Sequence, residues 1–223
     1  GIFKAELLAL KNLADKNHKF GVMFPQIISV EEVKKAREIF NELEIHNVAF
    51  GVMIETPAAS ILIKDICECG IDFISFGTND LTQYTLAIDR GNEDVQDIYD
   101  ETNWAVLKQI SRVIRECKKH GIESSICGQA GSKPEMVKFL VKQGIDSISV
   151  NADAAKEISE LVQKLEAEQG IEPIDNKEEI KKEIEEIKKI EEAPKHNLNP
   201  EPTEIIEDVK ENQTEPKKED IFE

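Results

Sequence analysis

The chain has 223 residues, with 28 Lys+Arg against 45 Asp+Glu and a formal net charge of −17. That charge argues against a binder of nucleic acid or of acidic membrane, because phosphate attraction needs clustered cations. Its 40% hydrophobic content is enough for a real core, unlike that of a chain disordered throughout.

In chain order, Gly1–His18 reads as a helix with Ile2, Leu7, Leu8, Leu10 and Leu13 forming a rough apolar stripe, and the short apolar run Phe20–Pro25 reads as a buried strand. From Ser29, with Glu32 in capping-box register, a helix is predicted to about Glu44. Asn47–Glu55 is a second apolar run, ending in a carboxylate; Pro57 opens a helix over Ala58–Glu68, and Gly70 ends it. Asp72–Gly77 is the next strand, followed by the polar turn Thr78-Asn79-Asp80. After an excursion through Asp89-Arg90-Gly91-Asn92, Trp104–His120 is a strong helix that Gly121 terminates. Ser124–Gly128 reads as strand and turn, Pro134–Lys142 as helix, Ser147–Val150 as strand and Asp153–Lys164 as helix.

Short strands apolar on both faces, alternating with helices, imply an α/β fold with a parallel sheet covered by helices. The polar residues of interest fall at strand C-terminal ends: Glu55, Thr78 to Asp80, Cys127 to Gln129, and Asn151. A (β/α)8 TIM-type barrel puts its chemistry there, but such a barrel takes about 250 residues. The expected fold is therefore the C-terminal part of a barrel, about five β-α units over residues 1–163, with a five-stranded doubly wound sheet as the alternative. Both sheet edges, Gly21–Phe24 and Ser147–Val150, would be left unpaired. A start at Gly1 within a helical pattern likewise suggests a fragment or processing product, and a homo-oligomer or a larger assembly is expected.

Residues 164–223 hold 10 Lys+Arg and 20 Asp+Glu with Phe222 as their one aromatic, an acidic tail. Within it Ile180, Ile184, Ile187 and Ile190 recur at helical spacing over Lys177–Glu192, and the segment beyond Pro194 reads as disordered. No stretch of about 18 apolar residues offers a bilayer span and no secretory leader pattern opens the chain, so a cytoplasmic location is expected. Cys67, Cys69, Cys117 and Cys127 lack paired zinc-site spacing and are too few for a disulfide framework; reduced thiols are expected.

Glu55 either caps the following helix or faces a ligand. Asp80, a second carboxylate at the next strand end, shifts the weight: two carboxylates converging on one mouth suit Mg2+ or Mn2+, with a phosphate or keto-acid ligand supplying further oxygens. Gly77-Thr78-Asn79-Asp80 adds backbone donors for an anion. Cys127, beside Gly128-Gln129-Ala130-Gly131, is a thiol placed to exchange a proton with substrate, whereas Cys67, Cys69 and Cys117 read as small buried hydrophobes. The histidines at 18, 46, 120 and 196 are scattered and suggest no metal site.

Three blocks carry a resemblance: Gly51 to Ala59, Phe73 to Asn92, and Ser125-Ile126-Cys127-Gly128-Gln129. In this order they closely resemble the C-terminal barrel domain of phosphoenolpyruvate-utilising enzymes, over roughly residues 21–163. Within that family the segments Ile126–Gln129 and Ile148–Asp153 are most similar to the phosphoenolpyruvate synthase branch, since pyruvate phosphate dikinase and enzyme I usually have Glu at the position of Gln129. The resemblance implies that Glu55 and Asp80 bind Mg2+, that Gly77, Thr78, Asn79 and Asp80, with Glu55 and Gln129, contact pyruvate or phosphoenolpyruvate, and that Cys127 is the proton donor. It implies the reaction ATP + pyruvate + water giving AMP + phosphoenolpyruvate + phosphate, with the cation stabilising the enolate.

The nucleotide-binding and phosphohistidine domains of the family have no counterpart in this chain, and the substrate-clamping arginines are expected before Gly1, because neither Arg90 nor Arg37 sits in a matching motif. The rival readings are an enzyme-I-like phosphotransferase and a non-catalytic scaffold built on the barrel fragment and its tail.

Overall fold

In the computed structural model, which describes residues 2–16 and 18–169, the apolar runs form five strands: β1 (Gly21–Phe24), β2 (Ala49–Ile54), β3 (Phe73–Gly77), β4 (Glu123–Cys127) and β5 (Ser147–Ile148). All neighbours are parallel and the sheet order is β1-β2-β3-β4-β5. The described helices are α1 (Ile2–Ala14), α2 (Val30–Glu42), α3 (Pro57–Ile61), α4 (Ile63–Cys67), α5 (Thr78–Leu86), α6 (Trp104–His120), α7 (Pro134–Gln143) and α8 (Ala155–Glu168). They touch in sequence, α2 on α4, α4 on α6, α6 on α7 and α7 on α8, as one layer over the sheet. A doubly wound sheet reverses its strand order at a switch point, and this one does not. The architecture is five consecutive β/α units of a TIM-type barrel, open between β1 and β5.

Local signals account for the element ends. Ser29 accepts from the Glu32 amide and the Glu32 side chain returns to the Ser29 amide, the expected capping box. Asn103 caps α6, and Gly121 at φ 66° ends it in the left-handed conformation that costs glycine nothing. Three expectations need correction. The helix foreseen over Ala58–Glu68 is two short helices meeting at Leu62, whose ψ of 8° leaves the α region. The strand foreseen over Ser147–Val150 is only two residues long, and the chain beyond it turns toward Ser132, whose hydroxyl accepts from the Asn151 amide. Thr78-Asn79-Asp80 is not a turn but the first turn of α5. Helix α8 runs on to Glu168; the tail helix at Lys177–Glu192 and the disorder beyond Pro194 lie outside the described residues.

Strand alternation divides the sheet into two faces. Facing the helices, Phe50, Val52, Ile54, Ile74, Phe76 and Ile126 are fully buried against Ile63, Ile66, Ile110 and Met136. Each such side chain contributes about 1.5–3 kcal/mol by leaving water. On the inner face, register aligns Met53, Ser75, Ser125 and Ser147 in one row and sets Gly77 opposite Cys127. Here the Phe73 ring lies where a Cβ at Gly21 or Gly51 would be, 2.7 and 2.5 Å away. Along the free edge of β1 runs an apolar groove of about 520 Å³ lined by Phe3, Leu7, Leu10, Val22, Phe24 and Pro25.

Candidate active site

Glu55 follows the last residue of β2 and is only 3% exposed. Its Oε1 accepts a 2.7 Å hydrogen bond from the Gln26 amide, held in place by a left-handed Gln26 at φ 55°. The carboxylate leans over Gly77: a Cβ there would stand 2.5 Å from Glu55 Oε2, so only glycine leaves room for it. Burial, more than anything else, pushes the Glu55 carboxyl above the usual range; the charge of Asp80 adds to this and the Gln26 hydrogen bond opposes it. Asp80 is half-buried in the first turn of α5, whose N-cap position is Gly77. The free amides of Thr78, Asn79 and Asp80 are thus those of a helix N-terminus, donors suited to an anion.

Cys127 ends β4 directly across from Gly77 and is half-buried. Its thiol donates to the Phe76 carbonyl at 3.3 Å. Gly128, at φ 100°, brings the chain so close to α5 that a Cβ would lie 2.9 Å from Thr78 Oγ1. Gln129 is exposed and begins the short 3-10 turn Gln129–Ser132. Glu55, the Gly77–Asp80 turn and Cys127 therefore stand at the C-terminal ends of three adjacent strands. Cys67 and Cys117 are buried in α4 and α6, and Cys69 donates to the Asp65 carbonyl, all in the helical layer.

The structure adds a polar cluster that spacing does not reveal. Glu101, 2% exposed, accepts from Thr78 Oγ1 at 3.2 Å and pairs with Lys133 Nζ at 2.7 Å. With the Asn79 amide oriented as its neighbours require, its nitrogen donates to Glu101 Oε1 at 3.0 Å and its oxygen accepts from Arg90 Nη1 at 3.0 Å. Tyr99 donates its hydroxyl to the Asn79 carbonyl at 3.1 Å, and burial raises its phenol above the ordinary value, with Glu101 adding to the effect. Arg90, which no separate motif marks, thus reaches the Asn79 side chain at the first turn of α5. Its place inside the long block Phe73 to Asn92 was the available signal. Arg37 instead lies over the Phe50 ring at 4.7 Å and donates to the Gly70 carbonyl, a packing role.

Among the described residues no group of three or more His, Cys, Asp or Glu is placed to hold a metal. The pair Glu55 and Asp80 nonetheless fits a hard cation that takes one or two protein carboxylates and fills its other positions with ligand and water oxygens. A cation there would relieve the repulsion that Asp80 exerts on buried Glu55. Among the described residues no helix is long and apolar enough to cross a membrane.

The family model described as PEP-utilising enzyme, PEP-binding domain, matches residues 1–167. A probable phosphoenolpyruvate synthase of Archaeoglobus fulgidus is 55% identical over 167 residues, covering 74% of this chain and 22% of its own length. The phosphoenolpyruvate synthase of Pyrococcus furiosus is 54% identical over 169 residues, 74% of this chain and 21% of its own. A phosphoenolpyruvate-protein phosphotransferase of Haemophilus influenzae is 35% identical over 174 residues, 74% and 30% respectively. The chain thus spans about a fifth of the length of the synthases it matches. Among solved structures, RipC from Yersinia pestis gives a TM-score of 0.49 at 12% identity, covering 64% of this chain and 63% of its own. On the match over residues 1–167, the chain belongs to the PEP-utilising enzymes and carries their PEP-binding domain.

Proposed function

We propose that this chain is the substrate-binding and proton-transfer portion of a phosphoenolpyruvate synthase, acting in ATP + pyruvate + water giving AMP + phosphoenolpyruvate + phosphate. The observation that carries the reading is the meeting of Glu55, the first turn of α5 and the Cys127 thiol at three neighbouring strand ends. Glu55 and Asp80 would hold Mg2+ or Mn2+, which supplies Lewis-acid charge to the substrate's oxygens. The amides of Thr78, Asn79 and Asp80, with the Arg90 guanidinium, would bind the carboxylate and phosphate oxygens. Gln129, exposed beside them, would close the rim.

Cys127 acts on the third carbon. In phosphoenolpyruvate breakdown, transfer of the phosphoryl group to a histidine leaves an enolate, and the Cys127 S–H gives its proton to the methylene carbon to form the methyl group of pyruvate. In synthesis the thiolate removes a methyl proton, and the enolate oxygen takes the phosphoryl group from phosphohistidine. The histidine and nucleotide domains would come from outside this chain. The phosphotransferases at 34–36% identity support a second reading, transfer to a carrier protein, but the 54–56% identity to synthases and Gln129 favour the first.

The test is hydrogen–deuterium exchange at the pyruvate methyl group, followed by NMR with Mg2+ present. Exchange that needs both the cation and Cys127 supports the reading. A folded chain that exchanges equally well with Ser at 127 would refute the thiol's role.

A further inference from the structure

Resting on that reading, we infer that Glu101 is a positioning residue whose buried carboxylate fixes the Asn79 amide and, through it, turns the Arg90 guanidinium toward an anionic ligand. A primary amide keeps nearly the same shape when rotated by half a turn, so only its neighbours decide where its oxygen and nitrogen lie. Assigned from its neighbours, the Asn79 amide has one orientation that satisfies both: the nitrogen donates to Glu101 Oε1 at 3.0 Å and the oxygen accepts from Arg90 Nη1 at 3.0 Å. Turned over, the oxygen would face a carboxylate and the nitrogen a guanidinium, two mismatched contacts at once. The negative charge of Glu101 therefore selects the orientation that holds Arg90.

A carboxylate 2% exposed beside an anion site has two costs, its own desolvation and repulsion of the ligand. Lys133 offsets both at 2.7 Å while its own side chain is 44% exposed, on the outer side of the pair. The Glu101–Lys133 pair is thus neutral as a whole, yet it shows Oε1 to Asn79 and Thr78 and takes its cation on Oε2. Tyr99, two residues before Glu101, holds the Asn79 main-chain carbonyl at 3.1 Å, so one segment grips both the backbone and the amide of that residue. Glu101 touches no proposed metal ligand directly; it acts through Asn79.

A merely structural ion pair would respond alike to loss of either partner, and a positioning carboxylate would not. We therefore compare E101Q and K133M in the whole chain, first without ligand, through the side-chain NMR resonances of Asn79 and Arg90. These are expected to shift in E101Q and to stay near the wild-type positions in K133M, which keeps the carboxylate. Phosphoenolpyruvate titrated in the presence of Mn2+ should bind about tenfold more weakly to E101Q, while the affinity for Mn2+ alone, read by electron paramagnetic resonance, stays unchanged. If E101Q does not fold, the double variant E101Q/K133M carries the same comparison without an unpaired cation beside the amide at position 101. Unmoved resonances in E101Q, or equal shifts in K133M, would overturn the proposal. If the wild-type chain binds no phosphoenolpyruvate, the reading of the site's function falls, and the ligand-free resonances still decide the role of Glu101.

Discussion

On the face of the sheet that the helices cover, β2, β3 and β4 present Phe50, Val52, Ile54, Ile74, Phe76 and Ile126, all fully buried. On the other face the same strands present Gly51, Met53, Phe73, Ser75, Gly77, Ser125 and Cys127, mostly small or polar; Met53, Phe73, Ser125 and Cys127 are half-buried, and Gly51, Ser75 and Gly77 are buried. One backbone thus carries two sets of constraints, displaced by a single residue. The helical face needs volume and apolarity to hold the fold together. The inner face needs room, as where Gly77 makes space for the Glu55 carboxylate and Gly51 for the Phe73 ring. Stability should therefore follow the first face and chemistry the second.

The strongest test of that division is Phe76→Ala, which empties a wholly buried site between Ile54 and Ile126 of the flanking strands. A loss of about 3–5 kcal/mol is expected in urea unfolding. Next, Cys127→Ser should lower cation-dependent methyl exchange at least about 100-fold while leaving the urea midpoint in place. A matching fall in stability would mean that the thiol belongs to the core after all. Smaller still, Ser29→Ala removes the side-chain cap of α2 while leaving the Gln26 amide that holds Glu55, and should cost about 1 kcal/mol without altering exchange.

The smallest effect sharpens the comparison through pH. Burial, then Asp80, raises the Glu55 carboxyl against the opposing Gln26 hydrogen bond, so the folded chain holds this proton more tightly than the unfolded one. Its contribution to stability is therefore fullest below the unfolded value near 4.3 and declines as pH rises through the higher folded value. Glu55→Gln should raise the denaturation midpoint at pH 8 and lose that advantage below about pH 4. An equal gain at both pH values would trace the effect to packing rather than charge.

Most of this fold could be read along the chain because its signals are local. Apolar runs ended by Pro25, Glu55 and Gly77, the Ser29–Glu32 box and the Gly121 stop each act within a few residues. The first turn of α5 was missed because Thr, Asn and Asp are weak helix formers that favour turns, and here the tertiary setting overrides them. The strand-end positions of Glu55, Asp80 and Cys127 were visible as pattern. The cluster behind them was not: Glu101 lies 23 residues from Thr78 and sits in a polar stretch resembling a solvated loop. No periodicity relates it to Lys133 or Arg90; only the folded chain brings them together.

The strand order has a further meaning for how the molecule is made. Each strand pairs with the one emerging just before it from the ribosome, β2 on β1, β3 on β2, β4 on β3 and β5 on β4. A growing chain can add one strand and its covering helix at a time to a sheet already present, without waiting for a distant segment to be translated. Under such vectorial assembly the mouth is built in the same direction: Glu55 first, then the α5 turn beside it, then Glu101 and the Cys127 carbonyl, which take the Thr78 hydroxyl of that turn.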